Sequence, residues 1–276
     1  MLTQAFAEAL AEAEKLIAGA PFVTSEQDLA EGYEYLAGSI QASLRLAWAY
    51  QRDFPYFVQS TGPYTKMGLD NPDTLYFHAY LRDDAEYVVT GRRGSTADLS
   101  FQVLKGDYSP VEVPDSLSAF DDRAIEVDAD GTFELWFGPS ASGRNSFRLG
   151  AGSSMLLVRE VYSDWAAERR GTISIRRQDR AGLAPPAAGT DVMAKRYGVA
   201  GKILLSRLRT FLAFPEWFYL SEPVNTMTPP RPTGRWRPTR ASSSAACGTS
   251  RWTTSTTRPA SPPIRPASTR TGGCAS

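Results

Sequence analysis

A single histidine limits the catalytic chemistry that this sequence can support. His78 lies in TLYFHAYLR (74–82), where two types of residue alternate. The alternation places Tyr76 and Tyr80 on the strand face of His78 and the apolar residues on the other face. Such a histidine could act as a general base with a tyrosine as proton donor. The alternative is a histidine on the wetter face of a sheet that hydrogen-bonds a neighbour without doing chemistry.

The segment NPDTLY (71–76) contains the next candidate residues. Asn71 and Asp73 are turn formers, and their side chains could simply hydrogen-bond nearby backbone amides. They could instead face a ligand at the rim of a rigid scaffold, where binding residues often lie on loops. We therefore treat His78, Asp73 and Tyr76 as candidate catalytic residues, and Asn71, Asp73 and Tyr76 as candidate ligand-binding residues.

Two consecutive arginines extend the predicted ligand site. Arg92 and Arg93 lie in GRRGS (91–95), at the end of a predicted strand. Paired guanidinium groups can clamp a carboxylate or a phosphate. The alternative is a tight turn with solvated arginines, whose ion pairs contribute little.

The composition excludes several kinds of site. One histidine is too few for a His-Glu-x-x-His zinc site, and the two cysteines, Cys247 and Cys274, lie near the C-terminus. No phosphate-binding loop of the Walker type is present, and the glycines of GAGSSM (150–155) precede a predicted strand, not the helix of a dinucleotide site. We therefore predict neither a metal nor a cofactor.

Hydrophobic periodicity predicts an α+β fold. Helical spacing over 3–18, and again after a capping box of Thr24 and Gln27, predicts two N-terminal helices. From residue 71 the period changes to two, and turn signals separate short strands, which favours an antiparallel β-sandwich. An apolar stripe predicts a long helix near 190–214, with its Lys and Arg on the opposite side. The predicted strands are 74–82, 85–93, 98–104, 132–138, 154–165 and 172–177.

The formal net charge of zero hides an uneven distribution. Residues 226–276 contain eight Arg and no acid, whereas the first 225 residues contain 22 basic and 30 acidic side chains. A basic tail can be a disordered arm for nucleic acid or a membrane surface. Our hypothesis is a shifted reading frame, because one back-translation of 241–275, read from the third codon base, encodes an amphipathic, acid-containing peptide. The frame would be lost near 232–240, leaving a disordered tail and a sandwich without its C-terminal strands.

The ordered motifs NPDTLYFHAYL, YVVTGRRGSTADLSFQV, DGTFELWFG, LLVREVYSDWAAERRGTISIRR and PVNTMTPPRP suggest a relationship. Together, over about residues 55–230, they resemble the domain-of-unknown-function 1214 family. The resemblance implies a jelly-roll-like β-sandwich with helical segments packed around it. It implies no catalytic residues. Members of that family end in further strands, which the tail of this chain lacks and the shifted peptide resembles.

These patterns predict a soluble, cytoplasmic protein from a GC-rich bacterium. Its parts would be a helical segment (1–54), a sandwich domain with an inserted helix (55–230) and the out-of-frame tail (231–276). We predict a binding module for a small apolar or acidic ligand; the alternative is an enzyme that uses His78 or Asp73 as general base with a tyrosine partner. No apolar run approaches the roughly 18 residues of a membrane span. We expect neither nucleic acid nor a membrane as partner, and the sequence predicts no oligomeric state.

The reading-frame hypothesis predicts a result in the gene. Beyond codon 230, we expect a second frame of the nucleotide sequence to encode alternating strands with acidic residues. We also expect the 276-residue chain to be poorly soluble, because a sandwich without its edge strands exposes unpaired backbone groups. Resequencing and a thermal melt check both points. An uninterrupted frame, or a sharp cooperative melt of soluble monomer, would contradict the hypothesis.

Overall fold

The computed structural model describes residues 1–62, 65–68, 70–106 and 114–218, except for the side chains of 214–218. All of these residues belong to one compact unit. This part of the chain contains three α-helices and nine β-strands. The helices are α1 (Gln4–Ala18), α2 (Glu26–Ala49) and α3 (Thr190–Phe218). The strands are β1 (Val58–Thr61), β2 (Thr74–Tyr80), β3 (Tyr87–Arg92), β4 (Asp98–Lys105), β5 (Asp115–Asp121), β6 (Thr132–Gly138), β7 (Ser146–Arg148), β8 (Ser153–Val161) and β9 (Thr172–Arg177).

The strands form two sheets that pack face to face. The five-stranded sheet has the order β1-β2-β8-β4-β5, and the four-stranded sheet has the order β7-β6-β3-β9. Neighbouring strands are antiparallel except for the parallel pair β6 and β7. The predicted α+β fold with a mostly antiparallel sandwich is therefore confirmed.

The core of the sandwich comes from the period-two pattern of its strands. In β2, Phe77 and Ala79 point towards the four-stranded sheet, whereas His78 and Tyr80 point away from it, as predicted. Aromatic and aliphatic side chains from both sheets fill the space between them. This core includes Phe77, Tyr87, Val89, Phe101, Leu135, Phe137, Leu156 and Val158.

A layer of helices covers the other face of the five-stranded sheet. The three helices pack on one another through Ala13, Ile17, Leu36, Leu204 and Leu208, which are all buried. Apolar residues of α2 and α3 then pack on the outward residues of the sheet. This second core contains Leu46, Ala49 and Ile203 from the helices, and Tyr80, Leu104, Met155 and Leu157 from the strands. The order of layers is helices, sheet, sheet.

Several element boundaries differ from the sequence predictions. The capping box of α2 is formed by Ser25 and Asp28, one residue later than predicted. The helix α3 continues to Phe218, four residues beyond the predicted end, because Pro215 removes one backbone hydrogen bond without ending the helix. The strands β1, β5 and β7 were missed, since they are short or largely exposed and lack a clear alternation.

Other predictions fall on the end of the chain. The out-of-frame tail (231–276), the missing C-terminal strands and the sandwich boundary at 230 lie outside the described residues. Among the helices that the structure describes, none combines the length and the apolar character that a bilayer crossing requires.

The sandwich core makes a prediction for stability. Leu156 lies on the central strand β8 and is fully buried, so Leu156→Ala should lower the free energy of unfolding by about 2–5 kcal/mol. The matched control is Leu183→Ala, because Leu183 is 57% exposed and its replacement should change stability by less than about 0.5 kcal/mol. Urea unfolding measures both values. Equal effects of the two substitutions would contradict the packing described here.

Candidate functional site

A cavity of about 190 Å³ lies between the helical layer and the outer face of the five-stranded sheet. Two of its walls are strands β2 and β8, and the other walls are α2, α3 and the loop that follows β1. The cavity contains both apolar and cationic side chains. Its lining residues are Leu46, Met67, His78, Tyr80, Met155, Lys202, Ile203, Ser206 and Arg207.

The local sequence explains why these residues meet. Residues His78 and Tyr80 share the outward face of β2, and Met155 lies beside Tyr80 because β2 and β8 pair in that register. On α3, Ile203 and Arg207 are four residues apart and therefore lie on one helix face. The sheet supplies the floor of the cavity and the helix closes it.

His78 is buried and hydrogen-bonded. Its side chain is 3% exposed, and its Nδ1 lies 2.7 Å from the hydroxyl oxygen of Ser60 on β1. Burial, together with the positive charges of Arg207 and Arg159, lowers its pKa from 6.5 to about 3. The ring is therefore neutral at physiological pH. The prediction of a hydrogen-bonded histidine agrees with this geometry, but the predicted wetter face is wrong, because α2 and α3 cover it.

Arg207 places a positive charge at the buried side of the cavity. The residue is 3% exposed, although the sequence pattern assigned the Lys and Arg residues of α3 to the side away from the apolar stripe. Its Nη2 donates a hydrogen bond of 3.0 Å to the carbonyl of Lys66, and its Nη1 contacts the sulfur of Met67 at 2.9 Å. These contacts hold the guanidinium beside the loop that follows β1.

The charged side chains that line the cavity are cations. Lys202 is exposed and supplies a second positive charge. None of the lining residues named above is acidic. The adjacent loop carries Asp70, which accepts a hydrogen bond from the backbone of Met67 at 2.9 Å and pairs with Lys66 at 3.4 Å. The charges that face the cavity itself therefore favour an anion.

Other buried polar side chains lie on α2, β1 and α3, outside the lining of the cavity. Ser39 on α2, Thr61 on β1 and Thr210 on α3 are each at most 1% exposed. The hydroxyl oxygens of Thr61 and Thr210 form no hydrogen bond to any residue that the structure describes. Buried hydroxyls without a partner lower the stability of a fold.

Asn71, Asp73 and Tyr76 form a hydrogen-bonded turn before β2. The side-chain oxygen of Asn71 accepts a hydrogen bond from the backbone of Asp73 at 2.9 Å, and the hydroxyl of Tyr76 accepts one from the backbone of Asn71 at 2.9 Å. The carboxylate of Asp73 accepts a hydrogen bond of 2.9 Å from the indole of Trp165, which stacks on Tyr162 at 3.9 Å. These contacts correspond to the turn interpretation of the motif.

Arg92 and Arg93 make separate structural contacts. Arg92 is exposed and donates to the backbone carbonyl of Asp130 at 2.9 Å. Arg93 pairs with Asp122 at 2.6 Å and donates to the hydroxyl and the carbonyl of Thr96 at 2.7 and 2.6 Å. The two guanidinium groups therefore bind different segments of the chain and do not form a common clamp.

The structure does not assemble the predicted catalytic group. His78 lines the cavity, whereas Asp73 is exposed and Tyr76 contacts the turn, and neither of them lines the cavity. General-base catalysis needs the base, its partner and the reacting group within hydrogen-bond reach. In the described part of the chain, no cluster of three or more His, Cys, Asp or Glu could hold a metal ion.

Sequence reasoning missed Ser60, Met67, Lys202 and Arg207. Arg207 could have been flagged, because it immediately precedes Leu208 and lies three residues after Leu204, at the edge of the apolar stripe of α3. Ser60 and Met67 belong to a short strand and a loop that carry no periodic signal. Their position depends on the pairing of β1 with β2, which the sequence pattern did not reveal.

Comparisons with known proteins support the fold. No family model and no curated protein matches the chain, so its resemblance to the domain-of-unknown-function 1214 family stays a prediction. The solved structure of an uncharacterised protein from Burkholderia cenocepacia is 26% identical in sequence, with a TM-score of 0.68. The match covers 77% of this chain and 58% of that protein, so the chain spans less than two thirds of its length.

A second solved structure is more distant. The VPA0106 protein from Vibrio parahaemolyticus is 13% identical, and the match covers 54% of this chain and 43% of that protein. Its TM-score of 0.30 is too low to indicate a shared fold.

The burial of His78 makes a prediction for pH dependence. His78 is the single histidine of the chain, so NMR reports one imidazole. Because its folded pKa is near 3 and its ordinary value is 6.5, we expect no titration of this ring between pH 8 and pH 5. A midpoint near 6.5 would show that the ring is solvated and would contradict the burial.

The same shift has a defined effect on stability. The unfolded chain binds a proton below pH 6.5 and the folded chain does not, so the contribution of His78 is fully present above pH 6.5 and is lost as the pH falls towards 3. The slope is about 1.4 kcal/mol per pH unit in that window. The free energy of unfolding, measured in urea at several pH values, should therefore fall by this slope in the parent chain relative to His78→Gln.

Proposed function

We propose that this protein binds a small anionic ligand with an apolar body in the cavity between α3 and the five-stranded sheet. The observation that carries the proposal is the lining of that cavity. It combines apolar walls with the buried guanidinium of Arg207 and the exposed ammonium of Lys202, and none of its described lining residues is acidic. Binding sites for small molecules commonly combine apolar walls with a few placed polar groups.

The size of the cavity indicates the size of the ligand. A dry protein cavity of about 150 Å³ can hold a benzene ring. The cavity described here has a volume of about 190 Å³ and therefore suits one ring, or a chain of a few carbons, with one small charged group. Single-ring and short-chain carboxylates are the ligand class that we propose.

His78 would contribute a hydrogen bond and no charge. A neutral imidazole carries one donor and one acceptor nitrogen. If the hydroxyl of Ser60 donates to Nδ1, the ring proton lies on Nε2, and this nitrogen becomes a donor for a carboxylate. The lowered pKa keeps the ring in this neutral state over the physiological range.

Two observations favour binding over the alternative of general-base catalysis. An imidazole with a pKa near 3 is a weak base, and efficient general bases have a pKa near the working pH. The carboxylate of Asp73 is bound by Trp165 and does not line the cavity. Binding requires neither a strong base nor a neighbouring carboxylate.

Benzoate and its neutral analogue benzamide test the proposal by calorimetric titration. We expect benzoate to bind more tightly than benzamide, because only benzoate pairs with Arg207. Arg207→Gln should weaken benzoate binding by at least about tenfold, since it removes the buried charge that the carboxylate meets. The matched control is Arg209→Gln, because Arg209 lies on the same helix but pairs with Glu12 of α1 at 3.6 Å.

A second variant guards against loss of folding in Arg207→Gln. Lys202 is exposed, so Lys202→Gln should keep the melting temperature and weaken benzoate binding several-fold. Equal affinities for benzoate and benzamide, or benzoate binding that neither variant changes, would refute the proposed site.

A further inference from the structure

A larger groove of about 650 Å³ lies on the helical layer, next to the cavity. Its walls are the end of α2 with the segment 50–54, and the N-terminal half of α3 with the residues before it. Tyr50 lines the groove and Tyr80 lines the cavity, and their rings meet edge to face at 4.7 Å. The contact between these two rings separates the groove from the cavity, so the groove is a separate site.

The surface of the groove is largely apolar. Ala47, Phe54 and Val199 contribute to its walls, and Tyr50 and Val192 are 45% and 36% exposed. Exposed aromatic and aliphatic groups gathered in one concavity favour an apolar ligand segment. The volume exceeds that of the neighbouring cavity more than threefold, so the groove can hold a longer ligand.

Three cations along the groove have no carboxylate partner. Arg52, Lys195 and Arg196 form no ion pair within the part of the chain that the structure describes. Asp53, the acidic residue of the groove, is instead bound by Arg177. Among the described residues, no ion pair therefore neutralises these three charges, whereas the fourth cation of the groove, Arg82, pairs with Asp84.

Aromatic rings hold two of these cations in place. The guanidinium of Arg52 lies 4.8 Å from the ring centre of Tyr50 and donates to its hydroxyl at 2.6 Å. The guanidinium of Arg196 lies 5.7 Å from the ring centre of Trp48. Cation–π contacts restrict the side chains but leave their charge available to an anion. The Nε atom of Arg52 is buried and has no hydrogen-bond partner among the residues that the structure describes.

We propose that this groove is a binding site for a single amphiphilic anion, an acyl chain that ends in a carboxylate. The anionic group would lie among Arg52, Lys195 and Arg196. The chain would lie on the apolar wall that Tyr50 and Val192 help to form. The groove and the cavity have different lining residues, so binding at one site is tested independently of binding at the other.

Monomeric dodecanoate, kept below its micelle concentration, is the probe. Calorimetric titration should show binding of dodecanoate and at least tenfold weaker binding of dodecyltrimethylammonium, which carries the same chain with the opposite charge. The double variant K195Q/R196Q should weaken dodecanoate binding at least tenfold. Lys195 is exposed and Arg196 is half-buried, so the melting temperatures of the variant and of the parent chain are compared to show that the variant is folded.

Further variants separate this site from the cavity. Lys202→Gln should leave dodecanoate binding unchanged, and K195Q/R196Q should leave benzoate binding unchanged. Similar affinities for the two amphiphiles, or dodecanoate binding that K195Q/R196Q does not weaken, would overturn the inference. Cosedimentation with vesicles that contain anionic lipid, without binding of monomeric dodecanoate, would also overturn it, because the surface would then bind a membrane.

Discussion

The rest of the structure depends on the need to cover both faces of strands β2 and β8. One face contributes Phe77 and Leu156 to the sandwich core, and the other face carries Tyr80 and Met155, which are equally buried. The four-stranded sheet can cover only the first face. Helices α2 and α3 must therefore pack on the second face, and this requirement joins the helices and the sandwich into one unit.

The helical layer buries a cation and an imidazole together with apolar side chains. When α3 packs on the sheet, Arg207 and His78 leave water together with the apolar residues beside them. Burial of a cation is costly, and burial of an imidazole lowers its pKa. Electrostatic interactions are also stronger in a protein interior than in water. The arrangement places a positive charge and a neutral hydrogen-bonding ring beside apolar walls, which is why we assign an anionic ligand to this place.

The sequence predicted the parts of the fold that depend on local periodicity. The alternation in β2 assigned His78 and Phe77 to opposite faces, and the turn chemistry of Asn71 and Asp73 explained their contacts. Periodicity cannot show what covers a face. The sequence predicted a wetter outward face of β2 because no pattern in it shows that α3, more than a hundred residues later, covers this face.

The candidate site was harder to predict for the same reason. His78 was identified by its residue type, but its hydrogen-bond partner comes from β1, and its neighbours in the cavity come from the loop after β1 and from α3. Arg207 lies close in sequence to buried leucines, and the composition of the surrounding residues is ordinary. Only the pairing of β1 with β2 and the packing of α3 bring Ser60 and Arg207 to His78. Long-range packing decides such sites, and a single sequence does not encode it in a visible pattern.

A crystal structure of the protein with bound benzoate tests the central claim most directly. We expect density for benzoate in the helix–sheet cavity, with its carboxylate about 3 Å from the guanidinium of Arg207 and its ring among Leu46, Met155 and Ile203. Density for benzoate at the turn beside Asp73 and Trp165, with no ligand density in the cavity, would contradict the proposed site.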